Sequence, residues 1–189
     1  SGNATAAERE LNALPATVPA PAKALVAALI QRWGGRPGTA IHLLEPHLSD
    51  PAVAVQWAYL ILEQGTPTPL EPTFAPLRLE RDRWISLAFA CENTNRWADA
   101  ANLTKLALRQ SPQDPALLNN WAWYALHLPD ANSQDIENAA RVAWASAPNQ
   151  FPFIDTYGEV LLAVDKAKEC LALLESQPQV VEAHAQLLH

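Results

Sequence analysis

Apolar residues in this chain fall three and four apart over long stretches, the spacing that gathers them on one face of an α-helix. The clearest stretch reads Trp84, Leu87, Ala88 and Cys91, a polar break at Asn93-Thr94-Asn95, then Ala100, Thr104 and Ala107, closed by Pro112. Asn tolerates positive φ and bonds its own backbone, so the break carries turn chemistry. Pro112 withdraws a backbone donor and ends the second stretch. The pattern predicts two antiparallel helices. Ala88, Ala100 and Ala107 leave grooves that receive Trp84 and Leu87, which lets such helices approach to about 9 Å.

The hairpin recurs. Leu118, Trp121, Ala122 and Ala125 precede Ala140, Trp144 and Pro148; Ile154, Tyr157, Gly158 and Leu161 precede Cys170 and Leu174. Pro112 and Pro148 lie 36 residues apart, and the polar loop from His127 to Asp135 takes up the extra length, since lengthening a loop costs little. The run W-x2-L-A-x2-C, followed by small residues and a closing Pro, resembles the tetratricopeptide repeat (TPR) family. Its pattern is W-x2-L-G-x2-Y, then A-x3-F, then Pro, with a period of about 34 residues. Ala88 replaces the family's glycine, Cys91 its tyrosine and Thr104 its aromatic residue, whereas Gly158 and the pair Ala140 and Trp144 keep the family's types.

The resemblance implies an all-α fold, an α-solenoid of stacked antiparallel helix pairs in a TPR-like superhelix. Residues 1–20 read as a flexible Ala/Pro-rich lead-in, and 21–64 as degenerate TPR-like helices carrying Ala24, Ala28, Gly34-Gly35, Ala40, Trp57 and Ile61. Over 65–80, Pro67, Pro69, Pro72 and Pro76 are too close for a long helix, which leaves an irregular connection with room for one short helical turn. Three TPR-like repeats fill 81–178. A C-terminal capping helix is expected over 179–189, where Val181, Ala185 and Leu188 share the spacing that would cover the last pair.

Composition narrows the function. A chain of 189 residues, 49% hydrophobic, can bury a substantial core. Its net charge of −7 and pI near 5.1 offer no footprint for a phosphate backbone, so nucleic acid is not expected as a partner. No apolar run approaches the roughly 20 residues that span a bilayer. Direct membrane insertion is not expected either, and a soluble domain of cytoplasm or periplasm fits, with an anchor or signal trimmed away left open. Seven Trp and no Met favour rigid aromatic anchors over a plastic surface.

Catalytic chemistry finds little support. There is no nucleophile elbow, phosphate loop, dinucleotide fingerprint or zinc-binding Cys pair, so no enzyme activity, cofactor or metal is expected. His42 and His47, like His184 and His189, are five apart and about 140° apart around a helix, away from ligand-sharing geometry. Cys91 and Cys170 both fall on inward helix faces, where each serves as a small buried hydrophobe; a disulfide between repeats that are not neighbours is the alternative. Sequons begin at Asn3 and Asn102.

Binding is the better expectation. In the family that this chain resembles, first helices line a concave groove, and the positions that fall there are Ile85, Phe89 and Glu92, then Asn119, Asn120, Trp123 and Leu126, then Asp155, Glu159 and Leu162. The Asn119 and Asn120 amides can bond an extended backbone, or cap a helix start. Phe89 and Trp123 either hold apolar side chains of a partner or pack against the next repeat. Asp155 and Glu159, four apart on one helix face, make a carboxylate wall. Family members that clamp a C-terminal carboxylate use Lys and Arg where this chain has apolar and acidic residues, so an apolar or basic segment is the expected partner.

The resemblance thus implies a protein-protein interaction scaffold or adaptor. Bacterial modules of this appearance serve envelope assembly, secretion or polysaccharide export, and the alanine-rich, lysine-poor composition suits such a source. Two alternatives remain: a non-catalytic repeat domain of a larger enzyme, and a self-assembling homo-oligomer joined through Trp33, Trp57 or Trp97.

Overall fold

A computed structural model describes residues 6–7, 9–11 and 13–177. Among these every regular element is helical. The helix expected over 179–189, with His184 and His189, and the sequon Asn3 lie outside the described residues. Of the expected lead-in, Ala6, Ala7 and Arg9 to Leu11 are helical.

The chain divides into two compact units, Ser1–Thr94 and Asn95–His189. In the first, α1 (Ala20–Trp33) and α2 (Pro37–Leu44) form a pair, followed by a 3-10 turn (Glu45–His47) and α3 (Pro51–Glu63). A one-turn helix α4 (Glu71–Phe74) lies in the proline-rich connection before α5 (Arg81–Asn93). Helix α3 packs on α1 and α2, and α5 packs on α3. Only the one-turn α4 stands between α3 and α5, too short to be a hairpin's second helix. The connection does its work instead, burying Leu70, Phe74, Leu77 and Leu79, with the Phe74 ring edge-on to Trp84 at 6.0 Å. Trp57, proposed above as an assembly anchor, belongs to the buried stripe of α3 with Val53, Ala54 and Ile61 and is unavailable to a partner.

The second unit contains α6 (Trp97–Gln110), α7 (Pro115–Ala125), α8 (Ser133–Ser146), α9 (Phe151–Ala163) and α10 (Ala167–Glu175). Each packs on the next, and α9 also packs on α7. This is the stacking of successive helix hairpins that defines an α-solenoid. Alanines make it possible. Ala122, Ala125, Ala139 and Ala140 share one core with Ile136, Ile154, Tyr157, Val160, Leu161, Cys170 and Leu173, and Trp144 lies against the Tyr157 ring at 5.5 Å. At Gly158 a Cβ would stand 3.7 Å from the Cys170 sulfur. Leu174, expected behind Cys170, is instead 38% exposed. The buried stripe of α10 advances by three residues, from Cys170 to Leu173.

Local chemistry sets the helix boundaries. Asp50 and Asp114 precede a proline at the first helical position, and each carboxylate accepts two backbone N–H groups of the opening turn, at 2.9 to 3.1 Å. Asn132 caps α8 in the same way. Such caps are worth about 1 kcal/mol each. At the far ends of α1, α3 and α9 the chain turns through Gly35, Gly65 and Asp165 in the left-handed region (φ 73, 63 and 61°). The following residue donates back five positions, as in Arg36 N–H to the Gln31 carbonyl at 2.9 Å. Thr104, which departs from the family pattern, donates its hydroxyl to the Ala100 carbonyl at 2.8 Å and so enters the core without an orphan donor. That burial in mid-helix also removes the Asn102 sequon from any glycosylation reading.

Candidate partner-binding surfaces

Three of the expected groove positions lie on α5 of the first unit. Phe89 is 56% exposed, a large ring left in solvent on a helix whose opposite face is buried, while Ile85 and Glu92 are half-buried. In the second unit, Asn119, Asn120 and Trp123 lie on α7, and Asp155 and Glu159 lie on the neighbouring α9.

Their environments differ sharply. Asn119 is only 6% exposed; its Nδ2 donates to Asn120 Oδ1 at 3.5 Å, and its Oδ1 meets no donor among the described residues. A buried amide oxygen without a partner costs about 1–3 kcal/mol. Asn119 is thus neither a helix cap, the office held by Asp114, nor an open surface amide. Asn120 and Trp123 are half-buried. Trp123 stands edge-on to His127 at 5.0 Å, and His127 in turn lies flat on Trp97 at 3.8 Å with the planes 6° apart. Trp97, the second proposed assembly anchor, is therefore half-buried in an aromatic cluster. Trp33, the third, is 79% exposed.

On α9, Asp155, Glu159 and Leu162 follow one another at helical spacing, and all three face solvent, Leu162 at 51%. No cation pairs with Asp155 or Glu159 among the described residues. Past the end of α9, Lys166 donates to Glu137 at 2.6 Å, tying the turn before α10 to α8. That hydrogen bond, outweighing desolvation, holds the Lys166 ammonium above its ordinary value. The Tyr157 phenol is pushed up by burial and then by the Glu137 and Glu169 carboxylates.

Both cysteines are free and buried. Burial, helped by Glu159, raises the Cys170 thiol, which keeps it protonated and unreactive at neutral pH. Among the described residues no cluster of three or more His, Cys, Asp or Glu side chains is placed to hold a metal ion, and no helix is long and apolar enough to cross a membrane. The His127 cluster was not anticipated. Its signal is nonetheless in the sequence, since His127 follows Trp123 by four residues, the spacing that brings helical side chains together and that holds here just past the end of α7.

No protein-family model matches this chain, and no curated protein matches it in sequence. Solved structures do resemble it. MamA MSR-1 superposes with a TM-score of 0.54 at 14% identity, covering 83% of this chain and 94% of the other. MamA from Desulfovibrio magneticus RS-1, taken from its residue 41 to the end, gives 0.53 at 14%, covering 84% and 92%. Likeness at such identity concerns the fold, and it supports the helical-repeat architecture.

Proposed function

We propose that this chain is a protein-interaction scaffold that holds an extended segment of a partner protein on its first-helix face. The observation that carries this reading is the outward stripe of α9, in which the unpaired carboxylates of Asp155 and Glu159 lead into the exposed Leu162. Unpaired acids beside an exposed leucine match a segment with alternating basic and apolar side chains. Trp123 on the adjoining α7 adds an aromatic wall, and Asn120 an amide able to meet the segment's backbone. Phe89 and Ile85, with Glu92, give α5 the same mixture of apolar and acidic groups. The absence of any recognisable catalytic constellation in the sequence is in keeping with a binding role, and roles in bacterial envelope assembly, secretion or polysaccharide export belong to the same reading.

A synthetic hexapeptide, Ac-Ser-Leu-Lys-Leu-Lys-Ser-NH2, tests it. Saturable binding that weakens at least tenfold in the double variant Asp155→Asn/Glu159→Gln is the expected result. Equal affinity for wild type and double variant would refute the placement, because both side chains are solvent-facing and their loss leaves the fold intact.

Self-association is favoured by a different observation, the 79% exposure of Trp33 at the end of α1. Sedimentation over a concentration series, with Trp33→Ser as the control, tests that reading.

A further inference from the structure

The second unit carries a trough on the side away from the α9 stripe. It runs between α6 and α8, over α7, as two clefts of about 380 and 520 Å³ that share Lys105, Trp121 and Asp135. Trp121 stands two residues from both Asn119 and Trp123, which places it about 160° round α7 from them. The trough is therefore separate from the first-helix face. It follows α6 from Ala98 and runs on past the helix end to Pro112, roughly 20 Å at the helical rise of 1.5 Å per residue. An extended chain of about six residues has that length.

Its chemistry is uneven along the length. In the smaller cleft Leu108, Leu118, Ala139 and Val142 form an apolar wall, with Gln113 and Asn138 beside it. At the waist where the clefts join, the Lys105 ammonium lies 5.2 Å from the centre of the Trp121 ring. Lys105 forms no ion pair among the described residues. Asp135 stands across from it in the first turn of α8, where the helix N-terminus already offsets a carboxylate. Asp130 lies out in the loop at the end of the larger cleft. Lys105, in mid-helix, has only the face of the Trp121 ring beside its ammonium, and it is the one cation among the residues that line the trough.

We propose that this trough is a second docking groove, taking an extended partner segment of about six residues whose aliphatic side chain packs against the wall of Leu108 and Val142 and whose carboxylate pairs with Lys105. Its preference is opposite in sign to that of the α9 stripe. One molecule can then hold two segments of different charge, one on each side of α7.

The probe is Ac-Ser-Leu-Glu-Leu-Leu-Ser-NH2, with a counterpart that carries Gln in place of Glu. Binding is followed by the shift of the Trp121 indole N–H in nitrogen-proton NMR spectra, the signal being assigned by its loss in Trp121→Phe. Saturable binding of the Glu peptide is expected, at least fivefold weaker both for the Gln peptide and in Lys105→Gln. Glu159→Gln should leave it unchanged, which separates failure of this groove from failure of the first-helix reading. Equal affinity of the two peptides, wild-type affinity in Lys105→Gln, equal weakening by Glu159→Gln, or no shift of the Trp121 signal at millimolar peptide would each overturn the assignment. Lys105 is exposed, so its replacement keeps the helical circular dichroism, and Lys105→Arg should retain binding.

Discussion

Gly158 offers a sharp test of the packing argument, because the residue matches the family's glycine while its surroundings do not require one. The glycine lies inside α9, buried against α10, where a close helix crossing is the usual reason for excluding a side chain. Here a Cβ would stand 3.7 Å from the Cys170 sulfur, an ordinary van der Waals separation, with no other heavy atom of the surroundings within 4 Å. Gly158→Ala thus adds a methyl group without displacing anything. Inside a helix the exchange is worth about 0.5–1 kcal/mol, because alanine loses less backbone entropy on folding. With an m-value of about 2 kcal/mol/M the urea midpoint should rise by about 0.25–0.5 M. Gly158→Leu must reach past that methyl into Cys170, and it should cost about 1–3 kcal/mol. Paired urea titrations of the three proteins check both signs. A midpoint that falls in Gly158→Ala would refute the reasoning, since it would mean that α9 and α10 meet more closely than the 3.7 Å gap allows.

Ala140→Leu, which adds three carbons to a fully enclosed crossing of α8, should destabilise by about 1–3 kcal/mol in urea titration. Asp114→Ala removes the carboxylate that accepts from Ala116 N–H and Leu117 N–H, and it should cost about 1 kcal/mol by the same assay. Tyr157 and Lys166 both hold their protons more tightly when folded than their ordinary values of 10.0 and 10.5. The unfolded chain therefore releases those protons first, and the stabilisation, complete below about pH 10, is lost as pH climbs through the folded values. Thermal unfolding between pH 8 and 11 should show that decline, and Tyr157→Phe should make it shallower; an unchanged slope would refute the role of the phenol.

The helices from Trp84 onward were legible because backbone and side-chain requirements coincide there. Trp84, Leu87, Ala88 and Cys91 are all buried because spacing alone places them on one stripe. The proline-rich connection was legible only in part. Proline spacing limits how long a helix can run, but it says nothing of where Leu70, Phe74, Leu77 and Leu79 go, and all four enter the core of the first unit. Trp57 was open to two readings, since it shares the stripe of Ala54, Ala58 and Ile61 and is also a large aromatic residue of the kind used as an anchor. Packing of α1, α2 and α5 against α3 decides for the core. Asn119 shows the limit of periodicity: its place on the helix was readable, but its burial depends on neighbouring elements and not on its own position.

Helix α7 accounts for the way binding chemistry is distributed in the second unit. Three helices, α6, α8 and α9, pack onto it, and the sequence from Pro115 to Ala125 has no charged residue. At Leu117, Asn119, Ala122, Tyr124 or Ala125 a charge would be buried, at a cost of several kcal/mol unless paired. The helix can therefore contribute apolar surface and amides but no ionic selectivity. Trp121 supplies that surface to the trough and Trp123 to the opposite side, while the charges that would select a partner stand on neighbours, Lys105 on α6 and Asp155 with Glu159 on α9. Separating contact from charge in this way has a consequence for divergence. Lys105, Asp155 and Glu159 are all solvent-facing, so exchanging them can change partner preference without disturbing the alanine-mediated packing that holds the hairpins together.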